Sequence, residues 1–198
     1  MRSECYKYEN DEYLVPLAQH GDRDAFDELA TRYCGALLVI AREFVRSSSS
    51  AEDVVQEAML IALHSLKKLR EPAKFGSWLY AITRFRAQRV FTEERRVATT
   101  DIAELSAAMV VTPSAEETHL DAERMEEIKR LLEAMKSEYR TVFNLRYLEQ
   151  WSIDQIATFL ALPTTTVNWR LHHARQSLRK SLTEGEDHGY DRRNNHKA

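Results

Sequence analysis

Apolar residues recur every three or four positions through most of the chain, the spacing that lines one face of an α-helix. The first such segment predicts a short helix from Glu12 to His20, with Gly21 placed to end it. Asp22 or Asp24 starts the next, in which Phe26, Leu29, Tyr33, Leu37, Ile40 and Phe44 keep helical spacing through Val45. The run Ser47 to Ser50 reads as a loop. Ser50 is the predicted N-cap of a helix reaching Leu69, with Asp53 at the third helical position as in a capping box. Val55, Met59, Ala62, Leu66 and Leu69 form its predicted buried stripe, while Asp53, Gln56, Glu57 and Leu60 share a different face. That second cluster fits either a docking surface or carboxylates solvated near a helix N-terminus.

A loop containing Pro72 and Gly76 follows from Leu69 to Ser77, and then a helix from Trp78 to Arg96. Its rings and cations interleave, with Trp78, Phe85 and Phe91 among Arg84, Arg86, Arg89, Arg95 and Arg96. Such a face suits single-stranded nucleic acid, where bases stack on rings while cations track the backbone. Trp78, Ile82 and Phe85 also stand at core spacing; Trp78 reads as core and Phe85 stays open between the two uses. From Val97 to about Ala115 the periodicity fades into Ala, Thr, Ser, acid and Pro113, a linker pattern. It returns from Glu116 to Met135 and again from Tyr139 to Tyr147.

The segment Trp151 to Ser181 carries the strongest chemistry. Ser152 as N-cap, with Ile153, Ile156, Ala157 and Leu160 on one face, predicts a short amphipathic helix. Ala161, Leu162 and Pro163 interrupt it, and Thr164 or Thr165 is placed to cap a second helix. In that helix Val167, Leu171, Ala174 and Leu178 face inward, while Arg170, Arg175, Arg179 and Lys180 bring charge with no acid through Ser181. A short helix, a tight turn and a basic helix displaying Thr166, Asn168, Trp169, Arg170, His172, His173 and Arg175 is what reading a DNA major groove requires. A plain helical hairpin with a solvated basic face is the competing reading.

Few glycines and prolines among abundant helix formers make the expected fold all-α. The net charge of −3 is low for a DNA-binding chain, but its distribution is uneven. Between Arg70 and Arg96 seven basic side chains stand against three acidic ones, and between Asp101 and Glu127 eight carboxylates stand against Arg124 alone. Cys5 and Cys34 are outside any ligand spacing, and the rings of the adjacent pair His172 and His173 diverge on a helix, so no metal, no cofactor and no disulfide is expected. No nucleophile and base stand at useful spacing, which argues against an enzyme. No stretch reaches membrane-span length and the first residues lack an apolar signal core, so a cytoplasmic protein without membrane insertion is expected.

Three stretches, HGDRDAFDELATRY with AEDVVQEAML, then FGSWLYAITRFRAQ, then YRTVFNLRYLEQWSIDQIATFLALPTTTVNWRLHHARQSLRK, together resemble the extracytoplasmic-function sigma factors of bacterial RNA polymerase. The resemblance runs from Glu12 to Leu182. It implies a region-two-like domain at 12–97, a linker at 98–115 and a region-four-like helix-turn-helix domain at 116–182; outside it, 1–11 reads as a tail, and 183–198, which has no apolar repeat, as a disordered tail. It also implies partners: core RNA polymerase, promoter DNA as duplex at −35 and as melted strand at −10, and an anti-sigma factor as a candidate. Position by position, Asp53, Gln56, Glu57 and Leu60 then correspond to the polymerase-binding surface. Lys74, Phe75, Gly76 and Ser77 correspond to the loop that captures a flipped −10 base, and Arg84, Phe85, Arg86 and Arg89 to the helix beside the melted strand. The seven residues of the basic helix correspond to the −35 reader.

Phe85 stands where the family usually has Asn, Arg89 at a usually acidic position, and Trp169 with His172 and His173 replace more common small and basic residues. Two further readings stay open on the sequence: a sigma-like interaction protein that binds polymerase or a regulator without opening promoters, and a free-standing helix-turn-helix regulator.

Overall fold

The computed structural model describes residues 6–100, 128 and 130–191. Every regular element among them is helical: α1 (Asp11–Gln19), α2 (Arg23–Ala41), α3 (Ser48–Ser65), α4 (Phe75–Thr100), α5 (Ser137–Tyr147), α6 (Ile153–Leu160) and α7 (Thr164–Asp191), with 3₁₀ turns at Leu66–Lys68 and Pro72–Lys74. Residues 130–134 are also helical.

The described chain divides into two compact units. The first holds α1 to α4 together with Asp154–Leu162; the second holds the described residues up to Ile153 that follow position 127, and those from Pro163 onward.

In the first unit α2 carries the centre of the core. Asp22 caps it by accepting from the Ala25 amide at 3.1 Å, and Phe26, Leu29, Leu37 and Ile40 are buried as their spacing predicts. Gly21 ends the preceding helix at φ +99, a conformation that disfavours any side chain. The buried line of α3 is Val54, Val55, Ala58 and Ala62, with Leu66 in the following turn. Met59 and Leu69 are only half-buried. The cap of α3 is Ser47, whose Oγ accepts from the Ser50 amide at 2.9 Å, so neither the Ser50 cap nor the Asp53 capping box forms. Where four serines stand in a row each can accept that bond, and burial of Ala51 and Val54 selects the register.

Other predicted boundaries move as well. Before α1, Tyr6 is not a loose tail residue: its hydroxyl donates to Asp22 at 2.8 Å. Helix α4 starts three residues before Trp78 and runs on to Thr100, so positions 98–100 of the expected linker are helical while the rest lies outside the described residues. Helix α7 continues to Asp191, so positions 183–191 of the expected tail are helical; extending a formed helix adds one hydrogen bond per residue without a new nucleation cost. Positions 192–198 lie outside the described residues.

Within the first unit, Phe159 of α6 is buried, 5.9 Å from Tyr33 in a stacked arrangement and 5.5 Å from Tyr80. The amphipathic pattern of α6 marked Ile156, Ala157 and Leu160, all buried, but not Phe159, which gives this helix a second apolar side.

In the second unit α5 packs on α7 through Val142 and Leu145 on one side and Val167, Leu171 and Ala174 on the other, all buried. Arg140 ties the start of α5 to the preceding helical residues by donating to the Glu133 carbonyl at 3.0 Å.

Candidate nucleic-acid and polymerase interfaces

Asp53, Gln56, Glu57 and Leu60 are all exposed on α3, on the face away from Val55 and Ala62. Leu60 is 56% exposed, and Ile61 and Leu63 beside it are exposed too. Sequence reasoning missed that pair, although the helical count places both off the buried line. The three aliphatic side chains are surface that water solvates poorly and a partner can cover, beside carboxylates that stay hydrated. Glu57 is not a bare carboxylate: Arg86 of α4 donates its Nε to Glu57 at 2.8 Å, with a second contact from its terminal nitrogen.

The segment before α4 is held from below. Gln19 donates to the carbonyls of Leu66 at 2.9 Å and Leu69 at 2.8 Å, which pins the exit from α3. Tyr33 sits under the start of α4, its ring 5.5 Å from Phe75 and edge-on to it, its hydroxyl donating to Asp11. Asp11 also pairs with Arg32 at 2.7 Å. Burial first, then the Asp11 charge, raises the Tyr33 pKa above its ordinary value, so the phenol stays a donor. A Cβ on Gly76 would come within 2.8 Å of the Tyr33 ring edge and hydroxyl, so any larger residue would have to push that ring aside.

These contacts divide the expected −10 set by exposure. Phe75 is fully buried against Tyr33 and Trp78, so its ring anchors the segment and does not meet a base. Gly76 is buried as well and acts by being small. Both fall in the first turn of α4, where backbone hydrogen bonding and the Tyr33 pocket turn them inward. Arg86 is half-buried in its pair with Glu57. Lys74, Arg84, Phe85 and Arg89 remain exposed, with Lys74 2.8 Å from Glu71 and Arg89 3.6 Å from Glu93. The open question over Phe85 is answered: it is 61% exposed and is not core, whereas Trp78 is half-buried against Phe75. Phe85, Gln88, Arg89, Thr92, Glu93 and Arg96 line an open cleft along one side of α4.

The turn into α7 has a built geometry. Leu162 donates to the Ala157 carbonyl at 2.9 Å and Ala161 to that of Thr158 at 3.3 Å, with Ala161 at φ 53. That is a Schellman ending with alanine in the left-handed position that glycine usually fills. The carbonyl of Pro163 then accepts from Thr166 at 3.0 Å and Val167 at 3.2 Å. Helix α7 therefore starts at Thr164, and Thr164 and Thr165 lie inside its first turn instead of capping it.

On α7 the seven candidates split in two. Asn168, Trp169, His172 and Arg175 are exposed, and Thr166, Arg170 and His173 are half-buried. At about 100° per residue, seven positions within ten cannot share one face. Arg170 is turned against α5: its side chain is 21% exposed, its terminal nitrogen lies 3.4 Å from Glu138, and its buried Nε has no hydrogen-bond partner among the described residues. It braces the helix more than it faces a groove. The His173 ring sits 5.6 Å from Tyr139, nearly parallel to it, and 4.3 Å from Trp169. Glu138 and Tyr139 were legible only as helix positions of α5, because their partners lie some thirty residues on.

No group of three His, Cys, Asp or Glu side chains among the described residues forms a metal site, and no described helix is long and apolar enough to cross a membrane.

An all-helical protein with an exposed acidic and aliphatic face, an exposed ring among cations on one helix and a basic helix after a tight turn fits the class that joins a protein partner to nucleic acid. Comparison with known proteins makes the class specific. Residues 29–97 match the family model of sigma-70 region 2, and residues 125–178 that of sigma-70 region 4. The chain is 31% identical to the RNA polymerase sigma-H factor of Pseudomonas aeruginosa over 182 residues, covering 88% of this chain and 94% of that one. It is 28% identical to the ECF RNA polymerase sigma factor SigW of Bacillus subtilis, covering 86% and 95%. Its fold matches the sigma factor RpoE of Bartonella quintana, solved with the anti-sigma factor NepR, at a TM-score of 0.59 and 18% identity over 79% of this chain and 95% of that one. The chain belongs to the extracytoplasmic-function sigma factors, a family of promoter-recognising transcription factors that are not enzymes.

Proposed function

We propose that this chain binds core RNA polymerase through Asp53, Gln56, Glu57 and Leu60 of α3, extended by Ile61 and Leu63, and directs it to promoters by two separate DNA contacts. Exposed Asn168, Trp169, His172 and Arg175 of α7 read the −35 element as duplex, and Lys74, Ser77, Arg84, Phe85 and Arg89 hold the melted −10 strand. The observation that carries the reading is the Phe85 ring, 61% exposed between Arg84 and Arg89, which supplies a stacking platform for an unpaired base. Promoter melting follows, since a base captured on that platform no longer competes for its partner strand. The domain reading, 12–97 for polymerase and −10 and 116–182 for −35, belongs to the same proposal, as do action in the cytoplasm and control by an anti-sigma factor.

Run-off transcription with core polymerase reconstituted with the full chain tests it. Specific transcripts sharing upstream elements are expected. Core binding without any transcript would leave an interaction protein, and tight duplex binding without polymerase a free-standing regulator.

A further inference from the structure

Trp169 is the outlying side chain of α7. The core residues Val167 and Leu171 flank it at two positions either side, so at about 100° per residue Trp169 stands on the side of α7 opposite those two. It is 51% exposed, and His172, about 60° round the helix, is the nearest to it of the other exposed candidates. A lone exposed ring needs no explanation. This one is clamped: His173 meets it at 4.3 Å and 61°, Tyr139 from α5 meets it at 5.6 Å and 74°, and those two rings stack on each other at 18°. Two edge-to-face contacts, one from each helix, favour one placement of the indole and leave about half of the residue open to solvent.

In a major groove each base pair shows hydrogen-bonding groups, and the apolar feature among them is the thymine 5-methyl, beside the O4 acceptor. An indole offers the complement, an apolar ring with one N–H donor and no acceptor. Resting on the −35 role proposed for α7, we propose that Trp169 is the specificity-determining residue that reads a thymine methyl in the upstream element, with Tyr139 and His173 as positioning residues that hold its ring. His173, which the sequence marked as a base reader, is half-buried between the other two rings and acts through Trp169.

The test uses core polymerase with the full chain. A duplex pool randomised over the upstream element is selected for holoenzyme binding, and in the selected promoter each thymine is replaced singly by deoxyuridine, which lacks only the methyl. One position is expected to lose about fourfold in binding, the worth of one buried methyl group. Trp169→Ala should bind the thymine and deoxyuridine promoters equally; Tyr139→Ala should shrink the ratio and Tyr139→Phe, which keeps the ring, should retain it. A flat deoxyuridine series on an enriched element, or the same ratio in Trp169→Ala, overturns the assignment while leaving promoter reading intact. A selection that enriches no upstream sequence overturns the promoter-reading function and the assignment with it.

Discussion

Two exposed aromatic rings, Phe85 on α4 and Trp169 on α7, are held in opposite ways. No ring contact braces Phe85 among the described residues, and its face is open to solvent between Arg84 and Arg89. Trp169 is nearly as exposed, but Tyr139 and His173 grip it from two helices. An unpaired base lies down on a ring of any tilt, so stacking tolerates a free phenyl and needs its whole face. A base pair in a duplex is rigid and displays its edge at one depth, so whatever reads it must be rigid too. The support under α4 is placed accordingly, not at Phe85 but one helical stretch earlier, where Tyr33, Gly76 and Phe75 set the start of the helix.

The largest effect should come from the bare ring. Phe85→Ala is expected to weaken holoenzyme binding to a single-stranded −10 oligonucleotide by up to ~3 kcal/mol, with duplex −35 binding unchanged; equal loss on both substrates would erase the contrast between the two helices. Gly76→Ala comes next, at about 2 kcal/mol of overpacking against Tyr33, read as a lower thermal midpoint and slower promoter opening. If both readouts stay at wild type, the Tyr33 pocket yields and does not set α4.

Alkaline pH probes the same pocket. The Tyr33 pKa lies above its unfolded value, so its contribution is fully present below pH about 10 and falls as pH rises past it, by ~1.4 kcal/mol per pH unit while only the unfolded form ionises. Tyr33→Phe should flatten that decline in a denaturation series; an unaltered slope would mean the phenol ionises in place. At the approach to α7, Ala161→Gly should stabilise the chain by roughly 0.5–1 kcal/mol by relieving a left-handed alanine, measured by denaturant midpoint. The smallest expected effect is the coupling of Glu57 with Arg86 in a double-mutant cycle, about 0.5 kcal/mol for a pair whose carboxylate is open to solvent. No coupling at all would return Arg86 to the melted strand as a DNA contact.

Much of this molecule was legible from spacing. The helices, the core of α2, the outward face of Asp53, Gln56, Glu57 and Leu60, and the interrupted pair of helices at the C-terminal end all follow from period and punctuation. Cap choice did not, since Ser47 and Ser50 are chemically alike and packing decided between them. Nor did the second apolar side of α6, because one phenylalanine off the main stripe carries no periodic signal.

Sequence alone determined the kinds of chemistry present: which helix is basic, which face is acidic, and where rings stand among cations, because these depend on local order and the 3.6-residue turn. Tertiary structure decided which of those side chains are available. Phe75 and Phe85 are ten residues apart on one helix, yet the first is sealed against Tyr33 and the second is open. Arg170 and Arg175 carry the same charge on α7, yet Glu138 draws the first inward and the second stays exposed. Availability is set by partners that lie 29 to 42 residues away in the chain for Arg86, Arg170 and Phe75, beyond the reach of any helical period.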